Sequence, residues 1–388
     1  MYTLDDVCKL ITDGSHFSPE DEGDGYPMLS VKDMEENDFN FSDCKRVGPE
    51  AYERLLANGC KPLLNDVVVA KDGSYLKTAF PIKEDREIAL LSSIAILRPN
   101  TDIVNPGYLS YFLKSETVYQ TVSLNYISGT ALKRIILKGI KKIPISLPDI
   151  REQSYRVSLL DSTRKAIEQR KKQLELFDEL IKARFVELFG NENNSRGWNT
   201  VNVEEVADVQ VGVVIKPAQY YTDEDNGIKA FRSLNIGAGY IKDNDWVYFS
   251  QEGHQKNSKS ILKEDDLLIV RSGAPGTACV VSKEYEGCNA IDVIIAHPDS
   301  EKVNPHYLCA FTNMPHGKKQ IEEGTGGAAQ QHFNVGKYNK MKLILPPMEK
   351  QLEYVDFLKQ VDKSKVAVKK SLDESQKLFD SLMQEYFG

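Results

Sequence analysis

The chain repeats itself. Leu147-Pro148-Asp149-Ile150-Arg151-Glu152-Gln153 recurs as Leu345-Pro346-Pro347-Met348-Glu349-Lys350-Gln351, an offset of 198 residues. The same offset, with no gap, carries Leu188-Phe189-Gly190 onto Tyr386-Phe387-Gly388. Between these marks Val157, Leu160, Lys171, Lys172, Leu174 and Leu180 fall on Val355, Leu358, Lys369, Lys370, Leu372 and Leu378. Earlier in the chain, Val104-Asn105-Pro106-Gly107-Tyr108-Leu109 matches Val303-Asn304-Pro305-His306-Tyr307-Leu308 at an offset of 199. Asp66 through Gly73 matches Asp266 through Gly273 at an offset of 200. Collinear matches across a whole chain mark a duplication. Whatever fold one half adopts, the other must adopt too.

Each half has two parts. The first, residues 1–146 or 198–344, is punctuated by Gly, Pro, Asn and Asp between short β-rich runs. Val67-Val68-Val69-Ala70, Ile94-Ala95-Ile96-Leu97, Leu267-Leu268-Ile269-Val270 and Val293-Ile294-Ile295-Ala296 read as buried strands. Pro106 to Gln120 reads as short helix beginning near Asn-Pro. Each first part is therefore expected to be an α/β domain.

The second part, residues 147–190 or 345–388, is different in kind. From Ile150 to Leu188 there is no Pro or Gly, and good helix formers dominate. With Ile150 as heptad position a, the d column reads Gln153, Leu160, Ile167, Leu174, Ile181, Leu188. Its counterpart reads Gln351, Leu358, Lys365, Leu372, Phe379, Tyr386. This pattern predicts coiled-coil helices of about five heptads over Ile150–Leu188 and Met348–Tyr386. Val157, Leu160, Ile167, Leu174 and Ile181 would face the other helix, as would Val355, Leu358, Leu372 and Phe379. A helix of that length, ~60 Å, needs a partner along its length, and its duplicate is the obvious one. The competing reading is a lone amphipathic helix on a globular core. Gly190 and residues 191–197 stop the first helix and form a linker. The fold class expected is α+β: two duplicated α/β domains, each followed by a long helix, the two helices paired.

A chain of 388 residues with 41% hydrophobic and 27% charged content is globular and too long for one ordinary core. Its start has neither the basic nor the apolar region of a secretion signal, and no apolar run approaches a membrane span. The six cysteines, Cys8, Cys44, Cys60, Cys279, Cys288 and Cys309, show no C-x-x-C spacing, which favours reduced structural thiols and a cytoplasmic protein. The net charge of -8 looks wrong for a nucleic-acid binder, but residues 1–50 alone carry 13 acids and 4 bases. Residues 101–146 carry 6 bases and 2 acids, and residues 301–346 carry 6 and 3. Local field, not total charge, decides whether phosphates are attracted, although fluctuations of this size also occur by chance.

Catalytic motifs are missing. Asn105-Pro106-Gly107-Tyr108 and Asn304-Pro305-His306-Tyr307 come close to an adenine methyltransferase motif but lack its second Pro, and they read as helix N-terminal signals. Gly324-Thr325-Gly326-Gly327 lacks the Gly-Lys-Ser/Thr of a P-loop. The six His show no metal-ligand spacing, so neither metal nor cofactor is expected.

Globular domain, Leu-Pro-x-x-x-x-Gln, long helix, then the same again: this organisation resembles the specificity subunits of type I restriction-modification systems. The resemblance covers essentially the whole chain. Residues 147–154, Leu176-Phe177-Asp178-Glu179-Leu180 and residues 343–351 carry it most clearly, with Trp198, Phe231 through Ile236 and Asp266 through Gly273. The first half departs from the pattern where Leu29-Ser30-Val31-Lys32-Asp33 lacks the Arg found at Arg232. The resemblance implies two target-recognition domains, each reading one half of a split, asymmetric DNA site. It implies two conserved helices packed as an antiparallel coiled coil with pseudo-two-fold symmetry, which set the spacer and dock two methyltransferase subunits. Motor-nuclease subunits add to these. The chain itself would be non-catalytic. A scaffold or decoy that binds methyltransferase subunits without reading DNA is the alternative.

A DNA reader needs cations to hold phosphates and side chains to discriminate base edges. Two loops per half qualify. One follows the buried strand: Lys71, Gly73, Ser74, Tyr75 and Lys77 in the first half, and Arg271, Ser272, Gly273, Gly276 and Thr277 in the second. The other precedes the long helix: Lys133 and Arg134, and Gln330, Gln331 and His332. An ordinary solvated turn is the competing reading for each.

Overall fold

The computed structural model describes residues 2–73, 76–128, 134–325 and 333–388. The chain forms two compact units, Met1–Lys171 with Lys369–Gly388, and Lys172–Val368.

In unit 1 the strands of the two larger sheets are β1 (Cys8–Asp13), β2 (Tyr26–Leu29), β3 (Lys45–Val47), β4 (Val67–Ala70), β5 (Ala79–Pro81), β6 (Ala89–Leu90) and β7 (Ile94–Pro99). A central antiparallel sheet has the order β1-β7-β4-β5, and a smaller sheet has the order β3-β2-β6. Both faces of the central sheet are covered, which explains why its inner strand β4 and the Ile94–Leu97 part of β7 are apolar at every position rather than alternately. Val67, Val69, Ala95 and Leu97 pack on the side of helices α1 (Pro106–Leu113) and α2 (Glu116–Asn125). Val68, Ile94 and Ile96 pack on the other side against Phe39, Phe80 and Ile88.

The long helix α3 (Ile150–Phe189) begins in this unit. Asp149 caps it, its carboxylate accepting from the amides of Arg151 and Glu152 at 2.9 and 3.1 Å.

Unit 2 rebuilds the same design with β8 (Ala207–Val211), β9 (Ile228–Phe231), β10 (Val247–Phe249), β11 (Leu267–Val270), β12 (Ala278–Val280), β13 (Asn289–Ala290) and β14 (Val293–Pro298). Its central sheet has the order β8-β14-β11-β12. Leu267, Ile269, Ile294 and Ala296 face α4 (Pro305–Asn313) and α5 (Pro315–Thr325), while Leu268, Val270, Val293 and Ile295 pack against Phe231 and Tyr285. The second long helix is α6 (Met348–Phe387).

Within each unit the two long helices run antiparallel. In unit 1 the Arg156 guanidinium lies 4.7 Å from the Tyr386 ring centroid, and Arg170 Nε donates to Ser371 Oγ at 3.1 Å. In unit 2 Arg184 donates to Glu353 at 2.6 Å, and Lys365 to Asp178 at 2.5 Å. Val157, Leu160 and Phe379 join the core of unit 1, and Ile181, Val355 and Leu358 that of unit 2. Ile167 is buried, whereas Leu174 and Leu372 are half-buried.

The two glutamines placed at d depart from the heptad reading. Gln153 Oε1 accepts from the Asn105 amide at 2.9 Å, and its Nε2 donates to the carbonyls of Ile103 and Pro148 at 3.0 and 2.9 Å. Gln351 does the same to Asn304, Lys302 and Pro346 at 2.8, 3.4 and 2.9 Å. Both are fully buried, so their amides must be satisfied, and they are satisfied by the domain that precedes the helix. Each is a lock between domain and helix, not a seam residue.

Candidate nucleic-acid interface

One end of each central sheet gathers the connections that matter. In unit 1, Asp13 lies opposite Ala95 and Ala70 opposite Ile94, so β1 and β4 both finish where β7 begins. The Lys71 amide donates to the Ser93 carbonyl at 2.9 Å, and the Lys71 carbonyl accepts from the Ile135 amide at 3.0 Å. Asp72 and Arg134 pair as an antiparallel bridge. The loop after the buried strand and the segment before the long helix are thus fastened together.

Unit 2 repeats the arrangement. Val211 lies opposite Ile294 and Val270 opposite Val293. The Arg271 carbonyl accepts from the Phe333 amide at 3.0 Å, and Arg271 Nε donates back to the Phe333 carbonyl at 3.3 Å. Gly273 and Gly276 adopt φ of +86° and +76°, which glycine tolerates without a steric cost. A Cβ at Gly276 would meet Ile321 Cδ1 at 2.3 Å, so the turn also sits hard against α5. Thr277 closes the turn, its carbonyl accepting from the Val270 amide at 2.8 Å, with Ser272 half-exposed at its start.

The cation that leads each loop is held by a carboxylate, from a different strand connection in each unit. Lys71 is 8% exposed and its ammonium is ion-paired with Asp13 at the end of β1. Arg271 donates to Asp292, just before β14, at 2.5 Å. Lys71 therefore points inward, and Arg134, half exposed, stands outward in its place. Gly73 is exposed with φ +66°, and Lys77 is exposed, its ammonium 5.9 Å over the Tyr119 ring. Ser74, Tyr75, Lys133, Gln330, Gln331 and His332 lie outside the described residues.

A third segment, missed in the sequence reading, joins the same end. Gly14 and Gly212 press so close to β6 and β13 that a Cβ would lie 2.1 Å from the Leu90 oxygen and 2.3 Å from the Ala290 oxygen. The segments that follow expose Phe17 (72%) and Ile215 (78%). The shared glycine at an offset of 198 was the available signal.

These loops offer binding groups. Asn105 and Asn304, the near-matches to a methyltransferase motif, accept from the amides of the second and third residues after them and so cap α1 and α4. Asp266 meets His297 at 2.5 Å where unit 1 has the bidentate Asp66–Arg98 pair, so the imidazole takes the place of a structural guanidinium. Burial pushes all six thiols up, Cys8 and Cys309 to about 12. Among the described residues no group of three His, Cys, Asp or Glu could hold a metal ion, and no helix is long and apolar enough to cross a membrane.

The sequence pattern of the type I restriction modification DNA specificity domain matches residues 1–176 and again residues 195–375. The chain belongs to this family. Specificity subunits serve DNA sequence recognition, work with other restriction-modification subunits, and are in general non-catalytic. The chain is 23% identical over 316 residues to the MjaVIII specificity subunit of Methanocaldococcus jannaschii, covering 77% of this chain and 72% of that one. It is 23% identical over 380 residues to the putative MjaX specificity subunit of the same organism, covering 92% and 85%. In fold it is similar to the crystal structure of the type I S subunit from M. genitalium, with a TM-score of 0.60, 14% identity, and coverage of 100% and 95%. A chain solved in work on assembly and conformational transition of the type I system gives the same TM-score at 16% identity, covering 99% and 96%.

Proposed function

We propose that each unit reads one part of a bipartite, asymmetric DNA site through the loops fastened at one end of its central sheet. The observation that carries this reading is the pair of equivalent amide-to-carbonyl bonds, Ile135 to Lys71 and Phe333 to Arg271. They present two loops as one surface in both units, on the same backbone frame. The side chains on that frame differ, Lys-Asp-Gly against Arg-Ser-Gly, and a shared frame with different side chains suits two different half-sites. Arg134 and Lys77 in one unit, and Arg271, Ser272, Gly273, Gly276 and Thr277 in the other, are the proposed contacts. The recognition domains are residues 1–146 and 198–344, with conserved helices at 147–190 and 345–388 and a linker at 191–197. The helices dock two methyltransferase subunits, to which motor-nuclease subunits add, in the cytoplasm. The chain contributes address, not chemistry.

An acidic chain binds DNA through local positive surface, so its affinity falls steeply with salt. A binding titration of the full chain with its methyltransferase subunits tests the reading. A bipartite cognate duplex should bind on the order of a thousandfold tighter than a scrambled one. Equal affinity for both would leave a scaffold that does not read sequence.

A further inference from the structure

The loop-bearing sheet ends of the two units carry different chemistry on matching backbone. In unit 2 the Val213 carbonyl accepts from the amide of Asp292, the residue that holds Arg271, at 3.1 Å. This brings Val214 and Ile215, both exposed, to the Arg271 loop. The Ile291 amide donates to the Phe231 carbonyl at 2.8 Å, which brings in the turn after β9 with Leu234, 61% exposed. The Gly239 amide donates to the Ala278 carbonyl at 2.9 Å, beside Thr277, and sets exposed Tyr240 at the same margin.

The corresponding positions in unit 1 follow from the clamped glycines Gly14 and Gly212, and from the bridges Met34–Phe39 and Ile236–Ile241. They are His16, Phe17, Lys32 and Asp38. Three of those four side chains can hydrogen-bond. Of Val214, Ile215, Leu234 and Tyr240, only the tyrosine can.

The major groove presents one apolar group, the 5-methyl of thymine, and every other feature of a base edge there asks for a hydrogen bond. Exposed aliphatic side chains on the segments around Arg271 and the exposed Lys216 match that group and no other on the groove floor. We propose that unit 2 selects its half-site in part through thymine methyl groups, with Ile215 and Leu234 as the contacting side chains. Unit 1, with His16 and Lys32 at the equivalent positions, reads its half-site by hydrogen bonds. This inference rests on the DNA-reading function proposed above and adds the class of base edge that unit 2 takes.

The test uses the full chain with its methyltransferase subunits and a cognate duplex in which each thymine of the two half-sites is replaced in turn by 2′-deoxyuridine. Loss of one buried methyl should weaken binding about fourfold. We expect that loss at one or more thymines of a single half-site. We expect it to vanish in the Ile215→Ser, Leu234→Ser double variant, whose affinity for the thymine duplex falls to that of wild type for the uracil duplex. Both side chains are exposed, so the variant should fold, and Phe17→Ser should leave the uracil effect in place. Tight, sequence-specific binding that ignores every uracil would overturn this inference while leaving the DNA-reading function intact. So would a uracil effect that survives in the double variant, or a double variant that loses methyltransferase subunits instead, since the cluster would then face protein. Failure of the wild-type complex to prefer its cognate site would remove both.

Discussion

The Phe333 amide donates to the Arg271 carbonyl over 3.0 Å, 62 residues apart in sequence. The guanidinium of the same arginine reaches back to the Phe333 carbonyl and forward to Asp292. Arg271 is thus held by three bonds, two to Phe333 and one to Asp292, which would keep still a side chain proposed to read a base.

Replacing Arg271 with Ala should weaken binding to the cognate duplex by about 1–3 kcal/mol and to random duplex by less. Asp292 is exposed enough for water to take over, so the urea midpoint should hardly move. Parallel titrations on the two duplexes decide the matter. Equal loss on both would assign the guanidinium to a phosphate.

The glutamine locks make a prediction about stability. Gln351→Ala strands the Asn304 amide and the Pro346 carbonyl in the joint where Gln351 is buried, at a cost of about 1–3 kcal/mol. Gln153→Ala should do the same at Asn105. The two do not share partners, so their effects on urea unfolding should add. A pair of silent substitutions would mean that the locks hold nothing.

Lys114 supplies a pH dependence. Burial, reinforced by the Arg164 charge, pulls its pKa down to about 8, with the ammonium 5.0 Å from the Tyr111 ring centroid. The folded state sheds this proton near pH 8, whereas the unfolded chain keeps it to about 10.4. Between those values the unfolded state binds more protons, so this group's contribution to stability rises with pH. Lys114→Met should therefore be more stable than wild type at pH 7, by about 1–2 kcal/mol, with the advantage shrinking above pH 8. Thermal unfolding at pH 7 and pH 9.5 checks the sign, and an advantage that grows with pH would contradict it.

The thiols should be inert in the native protein. Burial pushes Cys288 up to about 11 and Cys8 and Cys309 to about 12, so almost no thiolate is present at pH 8. A thiol reagent should titrate all six cysteines rapidly in urea and none rapidly in buffer. A fast native cysteine would show a packing fault near it.

Much of the fold was written plainly in the sequence. The buried strands came from runs such as Val67–Ala70, apolar at every residue because helices cover one face and the smaller sheet's core the other. The long helices came from forty residues without Pro or Gly. The site was only half legible. The repeat picked out two loops per half, but not that they are tied together, since the bond runs through the backbone and leaves no mark on side-chain identity. Lys71 looked like a surface cation because its partner, Asp13, is 58 residues away. Its counterpart Arg271 finds its acid at Asp292 instead, so the duplication gave no hint of either pairing. The heptad count put Gln153 in the seam because periodicity cannot tell a residue that faces a helix from one that faces the preceding domain.

The central claim, that each unit reads its own part of a split site, is tested most directly by exchanging one unit's reader. Residues 198–344 would be replaced by the corresponding domain of another specificity subunit with a known, different target. The chimaera would then be assembled with methyltransferase subunits, and the methylated sites mapped across a genome. The expected result is a motif with one half changed to that of the donor and the other half retained. A motif unchanged in both halves, or altered in both at once, would contradict it.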